Sequence, residues 1–147
     1  MKQPGGKLSS GGMKVLVAGL ALTLSGQVPA TGPNKEAYEL SERCGKTARD
    51  WFARDWGDGV SGKIISTYRN HYSEKLNKCF VLLSTTQVTR SKTCGTLVMA
   101  TLFDVNESND YGHMSSCDQR VTVCNVHGQD CASAADWQML LRPYLDE

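Results

Sequence analysis

The sequence predicts an α+β domain with an N-terminal helix, an antiparallel sheet of about four to five strands and a C-terminal helix, stabilised by disulfides. Three observations lead there. Amphipathic periodicity near 3.6 residues occurs at both ends of the region after residue 30, and the middle is a series of short apolar or alternating segments broken by turn residues. All six cysteines also fall in that region. The order helix, strands, helix places helices over an antiparallel sheet.

The first helix is expected from Asn34 to about Trp56. Ala37, Leu40, Cys44, Ala48 and Trp51 recur at three- and four-residue steps with charged residues between them. Asn34 can cap the start, Glu36 and Glu39 suit the positive end of the dipole, and Gly57-Asp58-Gly59 punctuates the finish. Trp51 and Phe52 are the expected anchors to the core.

Strands follow over Lys63–Tyr72, Lys78–Val88, Cys94–Val105, Asp110–Cys117 and Arg120–Val126. Cys79-Phe80-Val81-Leu82-Leu83 and Leu97 to Phe103 are the most apolar runs, as expected of central strands buried on both faces. Ser73 to Asn77 and Asn106 to Asn109 read as turns. Ser133 can cap the second helix, with Asp136 near its positive end. Trp137, Leu140, Leu141 and Tyr144 form the buried stripe, and Pro143 weakens the last turn.

The opening Met1–Ala30 has another character. Its charges are Lys2, Lys7 and Lys14, with no acid, and Val15 to Leu24 is an apolar run of ten residues. A membrane-spanning helix needs about 20. A basic start, a short apolar run and the small-residue exit Val28-Pro29-Ala30 together make a secretory signal pattern. Residues 1–30 are therefore expected to be a signal peptide and 31–147 a single α+β domain, and Met13 can serve as an alternative start. With no cysteine soon after the apolar run, a soluble exported protein is expected rather than a lipoprotein. Cleavage leaves 13 bases against 15 acids, moving the net charge from +1 to −2. Scattered bases in an acidic chain speak against nucleic acid as a partner.

Cys44, Cys79, Cys94, Cys117, Cys124 and Cys131 form an even set in a short exported chain, which reads as a disulfide framework. There are 15 conceivable pairings. Cys124 and Cys131 enclose a polar stretch containing Gly128, and Cys94 and Cys117 flank an apparent hairpin, which leaves Cys44 for Cys79. Chain entropy assigns these loops about 2.5, 3.4 and 3.8 kcal/mol respectively. The competing use of the same residues is a zinc site from Cys117, Cys124, His127 and Cys131, with His113 nearby. Its C-x6-C-x2-H-x3-C spacing lacks paired C-x2-C knuckles.

Two stretches resemble a family of short exported bacterial proteins of uncharacterised function. They are Asn70 to Phe80, containing His71-Tyr72 and Leu76-Asn77-Lys78-Cys79-Phe80, and Leu102-Phe103-Asp104-Val105-Asn106-Glu107 with Tyr111-Gly112. The resemblance covers most of the mature chain and implies an envelope location, periplasmic or secreted. It supplies no catalytic residue. Cys94 and Cys117 are extra to the family pattern, which favours their pairing with each other.

Familiar catalytic motifs are missing from the sequence. There is no G-x-S-x-G elbow, no C-x-x-C, and no nucleotide-binding glycine pattern. Asp104-x-Asn106-x-Ser108-x-Asp110 imitates the start of a calcium loop, but Asn109 replaces the sixth-position glycine and Ser115 the final glutamate. Asn106-Glu107-Ser108 is also a glycosylation sequon. The candidate binding residues are Tyr68, Arg69, His71 and Tyr72, since Tyr and Arg suit recognition. Plain strand alternation, with Tyr68 and Tyr72 inward and Arg69 and His71 in water, accounts for the same residues. The expectation is a non-enzymatic binding or interaction module of the envelope with an unidentified partner, without a cofactor or membrane span. The alternatives are a small hydrolase using His71 with Glu74, and the zinc protein.

Overall fold

A computed structural model describes residues 35–146; the expected signal peptide at residues 1–30 and the expected cap Asn34 lie outside the described residues. Helix α1 (Lys35–Trp56) is followed by a seven-stranded meander and then by helix α2 (Ala134–Leu145). The strands are β1 (Val60–Ser61), β2 (Ile64–Ser73), β3 (Lys78–Val88), β4 (Thr96–Asp104), β5 (Asn109–Cys117), β6 (Arg120–Val126) and β7 (Gln129–Asp130). Each pairs antiparallel with the next, so spatial order equals chain order. The sheet thus has seven strands rather than four to five. The additional two, β1 and β7, are two-residue edge pairs, too short to show any alternation in sequence.

The five long strands fall where alternation places them, with one informative difference. Cys94 and Gly95 stay outside β4 because the Asp118 carboxylate accepts the N–H groups of Gly95 (3.1 Å) and Thr96 (2.8 Å), shaping a turn there. The β5–β6 hairpin turns through Asp118 and Gln119 and the β6–β7 hairpin through His127 and Gly128, both residues of each pair having positive φ. Two consecutive positive-φ residues match the right-handed twist of the flanking strands.

The helices lie on opposite faces of the sheet. On one face Cys44 of α1 is bonded to Cys79, Phe52 meets the ring of Tyr68 at 4.6 Å and Trp51 that of Phe103 at 4.9 Å. On the other face α2 buries Trp137, Leu141 and Leu145 against Phe80, Ala100, Leu102, Cys124 and Val126. Neighbours Cys79, Phe80 and Val81 are all fully buried, as a strand covered on both faces requires. Pro143 sits on the exposed side of α2, where the missing N–H leaves a carbonyl open to water, and the helix continues to Leu145. No helix among the described residues is long and apolar enough to cross a membrane.

A close approach of strands occurs at Gly112 of β5. A Cβ there would lie 2.8 Å from the Asn125 carbonyl oxygen and 3.1 Å from the Val126 Cα. Both are backbone atoms that cannot step aside. Gly112→Ala is therefore expected to destabilise the domain by about 1–3 kcal/mol in urea unfolding, the usual cost of overpacking. A change below about 0.5 kcal/mol would show that β5 and β6 can separate freely.

Two carboxylates, in the β5–β6 turn and the first turn of α2, hold backbone N–H groups and contribute to the acid dependence of stability. Ser133 caps α2 by accepting the Asp136 N–H at 3.1 Å, while its hydroxyl donates to the Asp136 carboxylate at 2.7 Å. That bond, with the Ala132 N–H, holds Asp136 below the usual carboxylate range; the N–H groups of Gly95 and Thr96 do the same for Asp118. A carboxyl with a depressed folded-state pKa contributes stability above its unfolded value of about 3.9, and loses that contribution as pH falls through the folded value. The D118N/D136N double variant should therefore be less stable at pH 7, with a smaller loss between pH 5 and pH 2. Parallel stability curves for the two proteins would refute the assignment.

Candidate binding site

Strand geometry divides the four sequence-derived candidates. Tyr68 and Tyr72 project to the α1 face, where Tyr68 packs on Phe52 and the Tyr72 hydroxyl donates to Asn77 Oδ1 at 2.7 Å. Arg69 and His71 belong to the α2 face, and Arg69 reaches Asp146 at 3.4 Å. The four residues do not converge on one surface.

The cysteines join as Cys44–Cys79, Cys94–Cys117 and Cys124–Cys131, with Cα separations of 5.4, 5.5 and 5.1 Å. The thiols of the alternative zinc set are therefore divided between two disulfides. His113 is exposed on β5. Of the calcium-like run, Asp104 turns inward and is 1% exposed. It accepts the Asn106 N–H at 3.0 Å through Oδ1 and the Lys78 ammonium at 3.0 Å through Oδ2.

That ammonium marks a pocket of about 310 Å³ lined by Lys75, Leu76, Lys78, Tyr111, His127, Pro143 and Tyr144. Distant parts of the chain build it. The β2–β3 turn brings Lys75 and Leu76, the first residue of β3 is Lys78, and the last turn of α2 adds Pro143 and Tyr144. A register shift supplies Tyr111: β4 pairs Leu102 with Gly112 but Phe103 with Asp110, leaving Tyr111 out of the ladder. Such a bulge re-aims a side chain. The His127 N–H donates to the Tyr111 carbonyl at 2.7 Å, and the positive φ of His127 turns its ring onto that of Tyr111.

The rings form a corner. Tyr111 and His127 are nearly parallel, 15° apart with centroids 5.8 Å apart, whereas Tyr144 is inclined at 60° to Tyr111 at 5.7 Å. Phe80, fully buried in the core behind them, meets both tyrosines edge-on, at 5.0 and 5.1 Å. Lys78 Nζ stands 6.0 Å from the Tyr111 centroid and also donates to Glu107 at 2.5 Å. Glu107 first, then Asp104, hold the Lys78 pKa well above the ordinary lysine value. Burial, then the neighbouring Tyr111, raise that of Tyr144. Near neutral pH the pocket thus holds an ammonium between two carboxylates, and a protonated phenol.

Among the described residues the hydroxyls of Tyr111 and Tyr144 and the imidazole of His127 have no hydrogen-bond partner, and none of these polar atoms is sealed from solvent. In the sequence Tyr144 is one member of a helical stripe and His127 a candidate zinc ligand. Their convergence depends on a bulge that no local pattern announces and on the positive φ of His127 within the turn. Comparison with protein-family models, curated proteins and solved structures gives no match.

Proposed function

We propose that this chain is a non-enzymatic binding module of the bacterial envelope, periplasmic or secreted, and that the Tyr111–His127–Tyr144 pocket is its recognition site. The observation that carries the reading is the pocket itself, in which an apolar ring floor meets uncommitted phenol and imidazole atoms beside the Lys78–Asp104–Glu107 ion cluster. Concave, mostly apolar sites with a few placed polar groups are the general form of ligand pockets. The groups whose protonation the site perturbs also favour binding. Lys78 and Tyr144 are both moved away from neutrality, opposite to what a general acid or base requires. Three disulfides, the signal pattern and the family resemblance support the location.

The test is chemical-shift mapping of the oxidised mature protein with soluble envelope extract. Resonances of Lys78, Tyr111, His127 and Tyr144 should move, while Met99 and Val123 on the opposite, α1-side face of the sheet stay fixed. Movement confined to that opposite face would reject the pocket as the recognition site.

A further inference from the structure

Resting on the export proposed above but not on the pocket, we infer that Asn106 is the acceptor of an N-linked oligosaccharide. Such a site is marked by Asn-x-Ser/Thr, with any residue but proline in the middle, and belongs in a surface loop of an exported chain. The sequence has six asparagines, and only Asn106, followed by Glu107 and Ser108, fits that pattern. Asp104 stands two residues earlier and completes Asp-x-Asn-x-Ser, the longer form that bacterial transferases accept.

The fold adds an observation independent of the pattern. The other four described asparagines all use their side-chain amides within the domain. Asn70 donates to Cys44 Sγ at 3.8 Å, and Asn77 accepts from the Tyr72 hydroxyl at 2.7 Å. Asn109 donates to Glu107 at 2.9 Å and Asn125 to Asp130 at 2.8 Å. Among the described asparagines Asn106 alone has no partner for its amide, and the Ser108 hydroxyl has none among the described residues either. Backbone groups tie both residues into the β4–β5 turn: the Asn106 N–H donates to Asp104 Oδ1 at 3.0 Å and the Ser108 N–H to the Asp104 carbonyl at 2.8 Å. Both side chains are exposed. Replacing one amide hydrogen of Asn106 by a sugar therefore breaks no hydrogen bond of the folded domain.

The place also suits a bulky group. Asn106 borders a small open cavity with Leu40, Arg43 and Thr47 of α1 and with Tyr72 and Asn77 of the β2–β3 hairpin. That is the α1 side of the tip, whereas Pro143 and Tyr144 of the recognition pocket belong to α2. A glycan and a pocket ligand can thus be carried together.

The reaction joins Asn106 Nδ2 to the anomeric carbon of an oligosaccharide carried on a polyprenyl diphosphate. The bond from that carbon to the diphosphate oxygen breaks, the polyprenyl diphosphate leaves with the electron pair, and one amide proton passes to a carboxylate of the membrane transferase. No redox partner is needed. In the folded domain Asp104 is 1% exposed and bonded to Lys78, so transfer takes place on the exported chain before β4 and β5 close.

The test is intact-mass and tandem mass spectrometry of the chain recovered from the extracytoplasmic fraction of the cells that make it. Asn106→Gln and Ser108→Asn are made in the same cells. Ser108 has a φ of +57°, which asparagine tolerates, and neither side chain is hydrogen-bonded, so both variants should fold with all three disulfides. The leader-free chain should carry an oligosaccharide on Asn106, with at least a tenfold loss of occupancy in each variant. A leader-free chain of unmodified mass overturns the proposal and leaves the location and the pocket standing. A glycan found on another residue, or one that persists in Ser108→Asn, overturns it as well. A chain retained inside the cell with its leader intact overturns both the glycan and the export on which it rests.

Discussion

Replacing Cys44 and Cys79 together by alanine is expected to lower the unfolding free energy by about 4 kcal/mol, the largest loss among the three disulfides. The bridge joins residues 35 apart in sequence, against 23 for Cys94–Cys117 and 7 for Cys124–Cys131. The entropy removed from the unfolded chain grows with loop length, from about 2.5 kcal/mol for the shortest to about 3.8 for the longest. Packing adds to the ranking, because Cys44 and Cys79 are both almost completely buried. The structural consequence is more specific than a lower midpoint. This bridge fastens α1 to β3, beside the packing of Ala48, of Phe52 on Tyr68 and of the edge-on Trp51–Phe103 pair. Hydrogen exchange in the double variant should therefore accelerate in α1 well before β3–β5, with α2 unchanged. Equal losses for the three bridge deletions, or uniform acceleration across the domain, would show that loop length and the α1 anchorage do not govern this stability.

The pairing of those cysteines is legible in the sequence because each bridge joins elements that the sequence already delimits. Cys124 and Cys131 flank a turn, Cys94 and Cys117 sit at matched ends of a hairpin, and the remaining pair connects a helix to a strand. The start of α2 is legible for a similar reason, since Ser133 and Asp136 carry its capping chemistry within four residues. What is not legible lies beyond local pattern. Strand periodicity tells which side chains share a face but not which helix covers it, so nothing in Tyr68, Arg69, His71 and Tyr72 separates a patch from a strand divided between two helices. The pocket is the stronger case. Lys78 is the first residue of a strand, Tyr111 is freed by a one-residue bulge and His127 is aimed by a positive φ. Each fact depends on pairing between strands. A sequence signal does exist in the Asp104–Glu107 turn, whose acids look like metal ligands, but their role is to hold Lys78.

Trp137→Ala is expected to cost about 3–5 kcal/mol, the range for removing a large aromatic side chain from a well-packed core. Trp137 is 1% exposed and is the largest fully buried side chain among the described residues. It packs into the cluster of Phe80, Ala100, Leu102 and Cys124 that seats α2 on the sheet. The indole cannot be replaced by collapse from below, because the cluster rests on strands whose backbone is fixed by pairing on both sides. The cavity must persist or the helix must tilt. Tilting would carry a signature at the pocket, since Tyr144 lies two turns further along α2 and meets both Phe80 and Tyr111. The variant should therefore show a lower urea midpoint together with altered aromatic resonances of Tyr111 and Tyr144. Trp137→Phe, which keeps a ring in the space, should recover more than half of the lost stability and restore those resonances. A destabilised Trp137→Ala protein with an unaltered Tyr111–Tyr144 pair would mean that the cavity stays open and α2 does not move. The pocket would then owe its shape to the Tyr111 bulge and the His127 turn alone.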